Sequence, residues 1–454
     1  MRWVSRRLPR LRSAWRILSN GSGATMRFNG MAAPAWTAPM LDRANQAAPL
    51  ALLLGCGLIL AFPASGRTLF YILCSLSLLA LPLVMFQRRD AESKALNLLL
   101  SFALLIFIAF RAAWLWHFPA PADPTLFSVA FAYQLSNKIW LSALPLLLLP
   151  LWGSFGRRLS PACATLAMVS ASALLSIITL KAWHDAHGVR VGLGGLYATG
   201  AAYLLCAIHF FALLLFYPFR LKKWQWLGLC LLIALQFMSI VATGTRAALL
   251  VYLFVLGCAV LWRFGLNQSW RTYVIAALLA GLALWSSWAV VGSRIKEAQT
   301  DLIAYSQGNA DTSLGIRFSL WDAGAHAVRE RPWGQGIQAR DELFHQLVND
   351  GALNKAALVM RDVHLHNEWL EIMSLQGVPG ALSWLIFLSG FAIYGWKRGG
   401  FSRRFMAFYV GFWLVFGLSD VLLLSPQIAM CGAMLAALGL YLAPIFDARN
   451  EAAL

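Results

Sequence analysis

Residues 95–115 read ALNLLLSFALLIFIAFRAAWL, and between Leu96 and Phe110 there is no charged side chain. A helix needs about 20 mainly apolar residues to cross the hydrocarbon core of a bilayer, and this run suffices by itself. Comparable runs occupy 47–64, 68–86, 137–153, 161–181, 196–218, 224–243, 246–263, 272–292, 377–396, 404–419 and 426–444. The expected fold class is therefore all-α: a polytopic membrane protein of about twelve spans.

Composition points the same way. Of 454 residues, 60% are hydrophobic and 12% charged, about half the charge of a water-soluble chain. Lys and Arg number 37 against 19 Asp and Glu, a formal charge of +18. Cytoplasmic loops of membrane proteins collect such an excess. Nucleic acid is excluded as a partner, because no basic run is interleaved with stacking aromatics outside the apolar segments. Cys56, Cys74, Cys163, Cys206, Cys230, Cys258 and Cys431 all sit in apolar stretches, with no CxxC pair. They read as packing residues rather than disulfides or metal ligands.

With the N-terminus inside, the inside loops hold fourteen Lys and Arg residues, from Arg88 and Arg89 to Arg403 and Arg404. The short outside loops and adjoining helix ends hold six: Arg67, Arg111, Lys138, Lys181, Arg190 and Arg246. The bias puts both termini in the cytoplasm. The expected organisation is a basic arm on anionic membrane lipid at 1–46, spans one to nine at 47–292, a large outside loop at 293–370, spans ten to twelve at 371–444, and a tail at 445–454. The loop carries His326, His345, His364 and His366. Helical spacing over 317–330 and 338–348 predicts a small, mostly helical cap.

Polarity gathers on the outside face. Arg246, in Gly244-Thr245-Arg246, lies at a turn between two apolar spans, where an arginine needs water, a partner or an anion. Arg190 precedes Gly192, Gly194 and Gly195. His184 and His187 read as solvated loop histidines. Arg317 stands early in the loop, and Arg331-Pro332-Trp333-Gly334-Gln335-Gly336 reads as a helix stop and turn. Asn367 is a fit N-cap, with Glu368 in the first turn. His364 and His366 would then sit at the mouth of span ten, where histidine can move a proton near neutral pH. An HxH pair alone, with no third and fourth ligand at useful spacing, does not make a zinc site, so no metal is expected. Mid-span residues are mostly Leu, Ala, Phe, Ile and Val, which disfavours a transporter, the reading from a different class.

His366-Asn367 followed by Gly377-Val378-Pro379-Gly380 resembles the histidine motif of the O-antigen ligase family. Gly244-Thr245-Arg246 resembles that family's arginine turn. Arg317 with Trp321, then Pro332-Trp333-Gly334-Gln335-Gly336, resembles the head of its large periplasmic loop. The resemblance covers roughly residues 170–440. It implies a GT-C type glycosyltransferase of the bacterial inner membrane, with its active site facing the periplasm. The donor would be undecaprenyl-diphosphate-linked O-antigen and the acceptor a sugar hydroxyl of lipid A–core. The transfer would be inverting, without nucleotide sugar, metal or other cofactor. O-antigen polymerases and protein O-oligosaccharyltransferases share the superfamily and remain alternatives.

The residues suit that chemistry. A diphosphate leaves well only if its growing charge is neutralised, and no DxD-type acidic pair is present outside the spans to hold a metal for this. Arginine forks bind phosphate directly. Arg246 and Arg317 are the expected catalytic arginines, with Arg190 as a further diphosphate contact. His366 is the expected general base, with His364 and Asn367 contacting substrate or orienting the site. Glu368 is a less favoured base.

Overall fold

The computed structural model describes residues 37–85, 91–153, 160–216, 223–264, 281, 288–359 and 364–452. The chain divides into Met1–Ala44 and Asn45–Leu454, and the architecture below is that of the second unit. In chain order the helices are α1 (Thr37–Ala61), α2 (Pro63–Met85), α3 (Ala91–His117), α4 (Phe127–Trp152), α5 (Pro161–Asp185), α6 (Ala198–Phe216), α7 (Lys223–Thr243) and α8 (Arg246–Phe264). They continue as α9 (Trp288–Ser306), α10 (Ser313–Glu330), α11 (Ile337–Asn349), α12 (Glu368–Arg398), α13 (Gly400–Gly417) and α14 (Pro426–Ala452). Short 3-10 turns at Pro124–Leu126 and Lys355–Leu358 complete the regular structure among the described residues. The protein is all-helical there, as expected.

Eight of these helices are long and apolar enough to cross a membrane: α2 to α7, α12 and α14. Two shorter apolar segments, Ala47–Ala61 and Arg246–Gly257, occupy the places of expected spans one and eight. The 18-residue α13 takes the place of span eleven. Span nine falls largely outside the described residues, as does the basic arm before Thr37. Some element boundaries differ from the sequence expectation. Helix α1 begins at Thr37 rather than 47, and α14 runs to Ala452 through the expected tail. Helix α9 passes without a break across the expected start of the loop at 293. Hydropathy marks where lipid begins, whereas the backbone helix continues until a cap or breaker ends it.

The bundle core is aromatic. Trp140, Trp384 and Trp413 are wholly buried, with Phe107 and Phe387 packed among them, the Trp384 and Phe387 rings stacked at 5.0 Å. Gly390 of α12 faces Ala103 of α3, where an added Cβ would lie 2.6 Å from the alanine methyl. Small residues let membrane helices approach this closely.

Within the mostly apolar interior lies a buried polar cluster. Wholly buried His209, central in α6, pairs through Nδ1 with Ser172 Oγ of α5 at 2.8 Å and through Nε2 with Ser239 Oγ of α7 at 3.1 Å. Gln236 donates to Ser172 Oγ at 2.8 Å and accepts from the Tyr252 hydroxyl of α8 at 2.8 Å. These partners lie far apart in sequence, so only tertiary packing shows that four helices share one polar cluster. Each of these groups is satisfied, as interhelical hydrogen bonds in lipid require.

The loop folds as a helical cap, as expected. Thr312 caps α10 through Gly315 N, and α10 ends at Glu330 beside the Pro332 turn. Leu320, Ala323, Ala327, Leu343, Phe344 and Leu365 make its small core.

The cap is locked to the bundle by the two glycine-containing motifs. Helix α12 is two helical segments meeting at Gly377, which has φ 69°. Pro379 has no N–H, so the Leu375 carbonyl four residues earlier loses its helical donor. That carbonyl accepts instead from Gln335 N at 2.7 Å and Trp114 Nε1 at 3.0 Å. The Ser374 carbonyl accepts from Gln335 Nε2 at 2.9 Å, and Val378 N donates to the Pro332 carbonyl at 2.8 Å. Thus the 332–336 turn satisfies the backbone groups that the Gly377 break exposes.

Candidate active site

Asn367 begins α12 as its N-cap, its Oδ1 accepting from Trp369 N at 3.0 Å and Leu370 N at 3.1 Å. Its Nδ2 donates to the Leu418 carbonyl at 3.3 Å, on the turn between α13 and α14. The amide is therefore engaged at both ends, which fixes the helix start against that turn.

The same turn collects the histidines. Asp420 Oδ1 lies 2.9 Å from His364 Nε2 and 3.2 Å from His366 Nδ1. The two rings stand 4.4 Å apart. His366 has φ 51°, a left-handed conformation rare for a residue with a side chain. Between the histidines, buried Leu365 donates its N–H to Glu371 Oε2 at 2.9 Å. Glu371 is wholly buried, paired with Arg340 Nη1 at 3.0 Å, and accepts from the Tyr133 hydroxyl at 2.8 Å. Glu368 Oε2 accepts from Leu422 N at 2.7 Å and Leu423 N at 3.0 Å. Buried and bonded in this way, Glu368 staples the Asp420 turn to α12 and is poorly placed to serve as a base.

Electrostatics follow from this packing. Burial would raise the Asp420 pKa, but hydrogen bonds from His364 and His366 outweigh it and hold the carboxyl well below its usual range. For His364, burial would lower the pKa; the hydrogen bond and charge of Asp420 prevail and raise it. With His366 Nδ1–H donating to the Asp420 carboxylate, the lone pair of Nε2 is left to accept a proton. This is the base-and-orienter arrangement of acid–base catalysis.

Arg317 joins the cluster from α10. Its Nη1 donates to the Ser419 carbonyl at 2.9 Å, and the Ser419 hydroxyl pairs with Tyr203 of α6 at 2.9 Å. Arg246, at the start of α8, is engaged by Glu297 of α9 at 2.7 Å. Arg190 lies one residue before Val191, whose N–H reaches the Ala242 carbonyl at the end of α7. The structure thus gathers Arg317, His364, His366 and Asn367 on residues 418–420. Arg246 begins α8, and Arg190 lies beside the end of α7.

Asp420 is the residue that the sequence reading missed, along with Arg340, Glu371 and Tyr133. Its signal was present: an acid at the end of expected span eleven, on the face where the histidines gather. Among the described residues, His364, His366 and Asp420 are the group of three whose ligand atoms could hold a metal ion. His184 and His187 belong to no such group there.

Residues 231–385 match the family model described as O-antigen ligase. An O-antigen ligase of Escherichia coli (strain K12) is 25% identical over 367 residues, covering 79% of this chain and 83% of that protein. An uncharacterized protein of Haemophilus influenzae is 27% identical over 161 residues, 34% of this chain and 40% of that protein. The segment that resembles the O-antigen ligase family model, residues 231–385, contains Arg246, Arg317, His364, His366 and Asn367.

Proposed function

We propose that this protein transfers O-antigen glycan from undecaprenyl diphosphate to a sugar hydroxyl of lipid A–core, as a GT-C type enzyme at the periplasmic face of the bacterial inner membrane. The observation that carries this reading is the His366–Asp420 contact of 3.2 Å, with Arg317 held on the adjoining Ser419 carbonyl. A proton acceptor and a phosphate-binding fork then face one turn.

In this mechanism the acceptor hydroxyl oxygen attacks the anomeric carbon of the donor as His366 Nε2 takes its proton. The bond from that carbon to the diphosphate oxygen breaks, and its electron pair leaves on the diphosphate. One displacement inverts the anomeric centre. Arg317 and Arg246, with Arg190 as a further contact, neutralise the leaving charge, fixed cations being effective where charge develops. Asp420 stabilises the imidazolium that forms. His364 shares Asp420 and packs on the His366 ring, and Asn367 fixes the helix start beneath both. No step calls for a metal.

The test uses purified protein with undecaprenyl-diphosphate O-antigen and rough lipopolysaccharide, in EDTA and without nucleotide. A lipopolysaccharide ladder shift lost in His366→Ala and Arg246→Ala supports the reading. Longer glycans on the lipid carrier without a shift would make the protein a polymerase. Glycan appearing on an acceptor protein instead would indicate a protein O-oligosaccharyltransferase. Full activity in His366→Ala would overturn the proposed base.

A further inference from the structure

We propose that His364, His366 and Asp420 also form a binding site for a divalent transition-metal ion, Zn²⁺ foremost, and that the bound ion switches glycan transfer off. The inhibitory half of this proposal rests on the general-base role given to His366; the binding half does not.

The geometry is that of a site one small movement from coordination. Asp420 Oδ1 stands 2.9 Å from His364 Nε2 and 3.2 Å from His366 Nδ1, and the three ligand atoms lie within 4.8 Å of one another. Zinc bonds of about 2.0–2.2 Å in tetrahedral geometry place neighbouring ligand atoms roughly 3.3–3.5 Å apart. The two edges from Asp420 therefore open by a few tenths of an ångström. Two imidazole nitrogens and one carboxylate oxygen suit Zn²⁺, Cu²⁺ or Ni²⁺, whereas Mg²⁺ and Ca²⁺ prefer oxygen ligands alone. Three protein ligands leave a fourth position for water, the arrangement of open zinc sites.

The ligands are pre-organised by residues that bind no metal. Leu365, between the two histidines, is 1% exposed and anchored on Glu371, itself paired with buried Arg340. Asp420 Oδ1 also accepts from Val421 N at 3.0 Å, which fixes the carboxylate. Little ordering is left to be done when an ion arrives. The His364, His366 and Asp420 side chains keep 17%, 20% and 14% of their surface exposed, so the ion can reach them.

Inhibition follows from proton bookkeeping on the imidazole. A metal on His366 Nδ1 displaces the hydrogen that Nδ1 gave to Asp420. The neutral ring then carries its one N–H at Nε2. That nitrogen becomes a donor, so it cannot take the proton of the acceptor hydroxyl. In the same way His364, bound through Nε2, must carry its N–H at Nδ1, which is buried and has no hydrogen-bond partner. Metal-bound histidines ordinarily give this second N–H to an acceptor, so binding here is reversible by chelators.

The binding half of the test needs no glycan substrate. Full-length protein carrying no polyhistidine tag is treated with EDTA in detergent, freed of chelator, and titrated with Zn²⁺ against a chromophoric chelator. Cobalt substitution then reports coordination through its visible absorption. The expected result is one Zn²⁺ per chain, at least about tenfold weaker in His364→Gln and in Asp420→Asn, each checked for folding by its elution profile. A His184→Gln/His187→Gln variant should bind as the wild type does. No stoichiometric binding, or binding lost only in the His184/His187 variant, would overturn the site. Added Zn²⁺ should abolish the ladder shift and EDTA restore it. If ligation in EDTA proceeds but Zn²⁺ binds without inhibiting, the switch fails while the ligase reading stands. If Zn²⁺ binds but ligation never occurs, the metal site stands, while the ligase reading and the switch that rests on it both fail.

Discussion

Gly334 and Gly377 meet backbone to backbone: an added Cβ on Gly377 would lie 2.5 Å from the Gly334 nitrogen, and one on Gly334 would lie 2.8 Å from the Leu375 carbonyl oxygen. Both glycines also have positive φ, 99° and 69° respectively. The contact explains why a turn in the loop and a break in a helix belong together. It holds the start of α12, and with it His366, at a fixed angle to the cap.

Gly377→Ala should therefore destabilise strongly. Left-handed backbone strain costs about 1–3 kcal/mol, and here the contact with Pro332 and Gly334 backbone adds to it. Val378→Ala, at a position 42% exposed, should be close to neutral. Thermal unfolding of the two variants in detergent checks the contrast, and equal melting temperatures would refute it.

The Arg340–Glu371 pair is buried at 2% and 0% side-chain exposure. Arg340→Met leaves a charged carboxylate without its cation and should cost about 3–5 kcal/mol. Adding Glu371→Gln removes that charge while an amide oxygen remains to accept a hydrogen bond. The double variant should be more stable than Arg340→Met alone. Additive losses in melting temperature would show that the ion pair is not the reason for the cost.

Asp420→Asn should lower the turnover rate about 10²–10⁴-fold with little change in donor KM, because the orienting charge acts on the proton transfer rather than on binding. Steady-state ligation with varied donor separates the two. A change confined to KM would place Asp420 in donor binding instead.

The same cluster should have a pH signature in stability. The depressed Asp420 pKa contributes stability that is complete above the ordinary carboxylate value, about 3.9, and is lost as pH falls through the folded value. The raised His364 pKa contributes stability that is complete below about 6.5 and is lost as pH rises through the folded value. Melting temperatures in EDTA should thus differ most between wild type and Asp420→Asn from about pH 4 to 6.5. A difference that grows steadily towards alkaline pH would contradict the assignment.

Arg317→Ala should reduce kcat/KM about 10²–10³-fold, the usual loss when one fixed donor to developing charge is removed. Arg317→Lys should recover only part, since an ammonium keeps the charge but not the fork. Ligation kinetics with the three proteins measure this, and full recovery by Lys would mean that charge alone suffices.

Most of the fold could be read from local sequence. Apolar runs located the helices of the membrane bundle, and the Arg331–Gly336 stretch marked the end of α10. Asn367 was legible as a cap because a capping side chain acts on N–H groups two and three residues away. Arg317, His364 and His366 were legible as unusual polar residues between spans. Asp420 as their partner was not, because 54 residues separate it from His366 and a lone acid at a helix end has many ordinary uses. The His209 cluster was hidden for the same reason: each helix contributes one or two polar groups that look incidental until four helices pack.

The sequence by itself determined that this chain is helical and membrane-spanning, because lipid length and hydropathy act along one segment at a time. Only the tertiary structure decided which charges meet. Helix ends distant in sequence converge on the turn at 418–420, and burial there makes Asp420 the orienting partner of both histidines, Glu368 a staple and Arg340–Glu371 an anchor.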